Sequence, residues 1–179
     1  MEQIALVSKS KISSLTTGQS NTTKIVCMTC DKMQDISCYE LEKNGSRRNE
    51  CRSCRLSGGR KRISKSPYAY ISNLYSQLAY RRAKTHEFTI SREDLYALYD
   101  KQEGLCRYSG LPMTFIKDGT GYHLTNISID RIDNNLGYTE ENVCLVCLAV
   151  NMMKYTLDLN ELVDWCKLIA SNHTEELWQ

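Results

Sequence analysis

Asp130 and Asn151 frame a run of residues, I-S-I-D-R-I-D-N-N-L-G-Y-T-E-E-N-V-C-L-V-C-L-A-V-N-M-M-K over 127–154, whose polar groups suit hard-cation chemistry. A carboxylate and an amide oxygen brought together by such a run make a small oxygen-lined site for Mg2+ or Mn2+. In a chain with basic, polyanion-binding features, that site suits metal-assisted cleavage of a phosphodiester. A second set of groups lies upstream. Cys27-Met-Thr-Cys30 and Cys51-Arg-Ser-Cys54 are two C-x2-C pairs with twenty residues between them. Each pair can form a knuckle presenting two thiolates, and two knuckles complete the tetrahedral sulfur site of structural Zn2+.

These groups need elements to hold them. Ile127 and Ile129 alternate with polar residues as a strand should, ending in Asp130, and Asn134 to Gly137 reads as a turn. Val143–Val146 gives a second strand and Leu148–Lys154 a helix, so the order is ββα. Upstream, Ser66-Pro67 reads as an N-cap and first-turn proline for a helix over Tyr68–Lys84, with Ile71, Leu74, Tyr75 and Leu78 on one face. Ser91-Arg-Glu-Asp resembles a capping box opening a second helix, which uses Leu95 and Leu98 and stops near Gly104. Leu157–Asn172 carries Leu159, Leu162, Val163, Leu168 and Ile169 at helical spacing with Trp165, which predicts a helix packed on the core. The fold class expected is α+β.

The 179 residues leave room for one moderate domain plus a small metal-supported module. Net charge is +2 but unevenly spread: residues 1–66 hold 13 Lys/Arg against 6 Asp/Glu, and the remainder 10 against 15. The basic part is expected to grip a polyanion. Nine cysteines with no secretion signal point to metal before disulfides, and no apolar run approaches membrane-spanning length. An intracellular protein is expected, bacterial or, if viral or eukaryotic, cytoplasmic or nuclear. Residues 1–22 read as a flexible N-terminus, 23–57 as a zinc-ribbon-like module of four cysteines, 58–66 as a Gly/Ser-rich basic linker, and 67–179 as helices plus the core motif at 105–155. Cys38 fits neither pair and is expected to be a small buried apolar residue, with Ile36, Tyr39 and Leu41 supplying a short hairpin. Cys106, Cys144 and Cys147 read as core cysteines. Arg60, Lys61 and Arg62 in the linker, and Arg81 and Arg82 at the end of the first long helix, are candidate DNA-backbone contacts.

The segment 127–154 closely resembles the ββα-metal core of HNH endonucleases, in the phage and mobile-element branch reading D-R-x-D…G-Y-x-x-x-N…V-N-x-M-K. A looser likeness runs through Cys106-Arg-Tyr-Ser-Gly-Leu-Pro-Met113. Several positions in fixed order make this specific. The resemblance implies a DNA endonuclease of homing or restriction type, with Asn151 joining Asp130 on the cation and Asn142 bracing the loop. It also pairs the core with an amino-terminal zinc ribbon like the four-cysteine module, whose job, DNA contact or support, stays open. Most HNH enzymes have a general-base histidine directly after the aspartate; here the residue is Arg131, which stays protonated and can instead clamp the scissile phosphate. Tyr138 is then the candidate to activate water, because the same branch carries this G-Y. Asp133 is a further candidate to ligate the cation or orient Arg131, and His86 a candidate to reach the phosphate. Double-strand cleavage with one core per chain requires a homodimer or two successive nicks. The rival expectation is a non-cleaving, zinc-containing DNA-binding or recombination accessory protein on the same fold, favoured by the missing histidine.

Overall fold

The computed structural model describes residues 23–121 and 123–173; the expected flexible N-terminus, 1–22, lies outside the described residues. Two compact units divide between Lys61 and Arg62, inside the stretch 58–66.

In the first unit β1 (Lys24–Val26) pairs antiparallel with β2 (Met33–Asp35), with Ile25 opposite Gln34. The hairpin ends in a knuckle in which Asp31 adopts a left-handed φ of 53° and its N–H donates to the Cys27 carbonyl at 2.9 Å. A 3-10 turn, Ile36–Cys38, is capped by the Asp35 carboxylate. Tyr39 follows, fully buried, its hydroxyl donating to the Ile25 carbonyl at 3.0 Å. Among the described residues the buried core here is Ile25, Cys27, Tyr39 and Cys51, too small to stand without further cross-linking. Leu41, though exposed, pairs antiparallel with Arg47 in a short hairpin between the two cysteine pairs. One expectation needs correction: Cys38 is only half-buried, and Tyr39 is the residue that fills the small core.

α1 (Arg52–Ile63) runs straight through Gly58-Gly59, where a linker was expected. Each glycine costs a helix about 1 kcal/mol relative to alanine. The second cysteine knuckle starts the helix, however, and both glycines face open space.

In the second unit α2 (Pro67–Arg82) begins where Ser66 Oγ accepts from the Ala69 N–H at 3.1 Å, with the proline in the first turn. α3 (Arg92–Lys101) opens on a capping box between Ser91 and Asp94. β3 (Ile127–Arg131) and β4 (Val143–Cys147) form an antiparallel pair with Asp130 opposite Cys144, and α4 (Leu148–Lys154) follows directly. Every residue of β4 is buried, as befits a short, continuous apolar run covered on both faces. Gln102 closes the far edge of β4: its Nε2 donates to the Leu145 carbonyl at 2.8 Å and its Oε1 accepts from the Leu145 N–H at 3.0 Å. The core joins Tyr70 and Ile71, Leu95, Ile90, Met113, Ile127, β4 and Tyr138. Cys106, Cys144 and Cys147 lie in it as free thiols.

α5 (Leu159–Asn172) forms behind an Asp158–Glu161 capping box, but it does not pack the core as expected. Leu162 alone is buried, while Trp165 is 56% exposed and Leu168 and Ile169 are equally open. Helical period says which residues share a face; it does not supply an element to cover that face. Among the described residues no helix is long and apolar enough to cross a membrane.

Candidate functional site

In a strand, residues 128 and 130 share one face, and on a helix residues 151 and 154 share another. The β3–α4 packing matches these two pairs rung for rung. Asn151 Nδ2 donates to Ser128 Oγ at 2.8 Å and to the Ile129 carbonyl at 3.1 Å, leaving Oδ1 as the acceptor a cation could use. One rung on, Lys154 Nζ lies 3.3 and 3.4 Å from the two oxygens of Asp130 and donates to the Arg131 carbonyl at 2.8 Å. Lys154 is 0% exposed and Asp130 is buried with it. The Tyr108 hydroxyl donates to Asp130 Oδ2 at 3.2 Å and accepts from the Cys144 thiol at 3.3 Å. Burial first, then Cys144 and Asp130, push the Tyr108 hydroxyl well above the usual phenol range, so it stays a donor. Burial also pushes the Cys144 thiol up to about 11.

The loop from β3 to β4 is held from inside by Asn142. Its Oδ1 accepts from the Asp133 N–H at 2.9 Å, and its Nδ2 donates to the Asp133 and Gly137 carbonyls at 3.0 and 2.8 Å. The Asp133 carboxylate accepts from the Asn135 N–H at 2.8 Å, so it caps the turn rather than orienting Arg131. From outside, the segment 87–90 clasps Tyr138: the Tyr138 N–H donates to the Glu87 carbonyl at 2.8 Å, and its carbonyl accepts from Thr89 and Ile90. A Cβ on Gly137 would collide with that Glu87 carbonyl oxygen, so the preceding position has room only for glycine.

Arg131 Nη1 donates to the Leu136 carbonyl at 2.8 Å, and its guanidinium lies 5.2 Å over the Tyr138 ring. The His86 ring meets the same tyrosine edge-on at 5.9 Å, and Phe88 backs it at 5.6 Å. Arg131, Tyr138 and His86 therefore form one cluster, while Asp130 and Asn151 stand on neighbouring rungs of β3 and α4. Arg81 and Arg82 are exposed in the last turn of α2, and Arg60, Lys61 and Arg62 occupy the last turns of α1. Sequence reasoning missed Lys154 and Tyr108. The signal for Lys154 was available: it follows Asn151 by three residues on the same helix face.

The four N-terminal cysteines converge, with all Sγ atoms of Cys27, Cys30, Cys51 and Cys54 within 4.8 Å of one another. A tetrahedral Zn–S shell with bonds of about 2.3 Å puts its sulfurs about 3.8 Å apart, so this donor set fits such an ion. The surroundings also favour thiolates. Cys27 Sγ accepts from the Cys51 and Thr29 N–H groups at 3.3 and 3.4 Å, and Gln34 Nε2 points at Cys51 and Cys30. Burial alone would push Cys27 up, but those N–H donors bring it down to about 6. Cys54, donating to its neighbours, is held far above the usual thiol range. Burial and the surrounding thiolates raise Tyr39 to about 12.

No known family and no curated protein matches the sequence. A solved structure of the rare-cutting HNH restriction endonuclease PacI is similar with a TM-score of 0.41 and 18% identity, covering 82% of this chain and 94% of that one.

Proposed function

We propose that this protein is a metal-dependent DNA endonuclease of the HNH type, hydrolysing phosphodiester bonds. The observation that supports the reading is the rung-for-rung packing of β3 on α4, Asn151 against Ser128 and Asp130 against Lys154 on the next rung, with Arg131 beside Tyr138 at the strand's end. Asp130 and Asn151 Oδ1 would hold Mg2+ or Mn2+; bound there, the ion would polarise the phosphodiester and stabilise the leaving oxygen. Arg131 binds the phosphate and offsets the charge that develops on it. Tyr138 and His86 are the two groups beside it that can take a proton from water. Asn142 holds the loop, and Lys154 with Tyr108 fixes the Asp130 carboxylate. Cys27, Cys30, Cys51 and Cys54 would hold a structural Zn2+ that cross-links the two knuckles. One core serves one strand, so a double-strand cut needs a second copy or a second nick.

A second reading has its own observation. The Lys154 ammonium already neutralises Asp130 in the position a cation would contest, which suits a non-cleaving DNA-binding or recombination accessory protein. Supercoiled plasmid separates the two. Under the first reading Mg2+ converts it to open-circle or linear DNA, EDTA prevents this, and Asp130→Ala abolishes it. A gel shift with no conversion on several DNAs overturns the endonuclease reading in favour of the second.

A further inference from the structure

α1 is built unlike the other helices. None of its twelve residues is buried, five are Arg or Lys, and none is acidic. Such a helix gains little from packing and leaves its charge on the surface. Its Arg52, Leu56 and Arg60 recur every four residues and so form one stripe. With Ser53, Gln34 and Cys38, that stripe lines a concavity of about 410 Å³ beside the cysteine knuckles. The two guanidinium-bearing positions are eight residues apart, which is about 12 Å along the helix. Leu56 and the half-buried Cys38 lie between them as an apolar floor. Arg52 Nε is 3.7 Å from Glu40, which also accepts from Arg55, so one acid is shared between two arginines and the groove keeps a positive surplus.

We infer that this groove binds the phosphodiester backbone of a nucleic acid, with Arg52 and Arg60 each taking a phosphate and Leu56 packing against the sugar between them. A lone phosphate cannot reach two guanidiniums at that separation, whereas a strand carries a charge at every step. Gly59, preceding Arg60 and facing open space, lets a strand approach the helix closely. The inference rests on the DNA-binding part of the proposed function but not on cleavage.

The test uses the zinc-loaded full chain and fluorescence anisotropy on labelled duplex DNA, single-stranded DNA and duplex RNA, without added Mg2+. Two phosphate contacts contribute about 1.8 to the slope of log K against log salt, or about 12-fold between 50 and 200 mM. The wild type should therefore lose about 12-fold more affinity than Arg52→Gln/Arg60→Gln over that range, while Arg52→Lys/Arg60→Lys keeps the wild-type slope. Which of the three nucleic acids shows this difference identifies the strand recognised. A fold defect would also remove phosphate contacts and lower the slope, so the comparison counts only where circular dichroism and zinc content of the Gln pair match the wild type on the same samples. Equal slopes for the wild type and the Gln pair overturn the inference. So does a response seen with polyglutamate and with no nucleic acid, which would make the groove an acidic-peptide site. If the slope changes as expected while no plasmid is cut, the groove stands and the endonuclease reading falls.

Discussion

Lys154→Met gives the sharpest test of how the Asp130 carboxylate is held. The Lys154 ammonium has no exposed surface and stands 3.3 Å from Asp130 Oδ2. Two unit charges at that distance attract by about 5 kcal/mol at an effective dielectric of about 20. Measured costs of removing one member of a buried pair run at about 3–5 kcal/mol, because the other charge is left stranded. Tyr108 still donates to the orphaned Asp130, which places the expected loss near about 3 kcal/mol. Asp130→Asn should cost a similar amount by stranding the ammonium. The double variant removes both charges and strands neither, so it should be little worse than either single change. Equilibrium urea unfolding reads this directly. With a slope of about 1–3 kcal/mol per molar, each single variant should move the midpoint by about 1–3 M. The coupling between the two sites should reach about 3 kcal/mol. Costs below about 1 kcal/mol for Lys154→Met, or additivity within about 0.5 kcal/mol, would refute the claim that this pair organises the site.

Other outcomes follow from single contacts. Asn142→Ala removes three short hydrogen bonds from the loop and should cost about 3 kcal/mol by urea unfolding, with loss of any plasmid cleavage. Gly58→Ala and Gly59→Ala meet no atoms and should each stabilise α1 by about 0.5–1 kcal/mol, read as slower hydrogen exchange over 52–63, whereas Gly137→Ala meets the Glu87 carbonyl and should destabilise. The purified protein should carry one zinc per chain, and chelation or Cys27→Ser should remove it together with the exchange protection of 24–61, leaving the second unit's circular dichroism. The Ser91 hydroxyl and N–H hold Asp94 below the usual carboxylate range. A depressed acid stabilises above its unfolded value of about 3.9 and loses that contribution as pH falls through the lower folded value, so α3 should fray from its N-terminus only on acidification below about pH 4.

The elements were legible wherever a local signal was strong. Ser66-Pro67 and the Ser91 capping box each specify a helix start, and the alternation at 127–130 with the apolar run at 143–146 specifies the two strands of the ββα order. The contents of the site were less legible. Asp130 and Asn151 stand out by type; Lys154 is marked only by its place three residues after Asn151 on the same helix face, and its partner is fixed by the strand it meets. Tyr108 comes from a stretch with no helical or strand period at all, and only the tertiary fold brings it to Asp130. The exposed face of α5 depends likewise on what lies beside it, which residue patterns do not encode, while α1 continues through Gly58-Gly59 from the start that the second cysteine knuckle gives it.

Asn142 locks its loop through contacts that span at most nine residues, and the groups from Asp130 to Lys154 occupy 25 consecutive positions. Little chain entropy is spent bringing such groups together, because every closure is short. The hairpin and helix can therefore assemble early and as one piece, before distant parts of the chain have settled. A unit of that kind is transferable: recombination could carry it between unrelated surroundings as a single short cassette, provided the new host supplies a clasp like 87–90 and a hydroxyl like that of Tyr108.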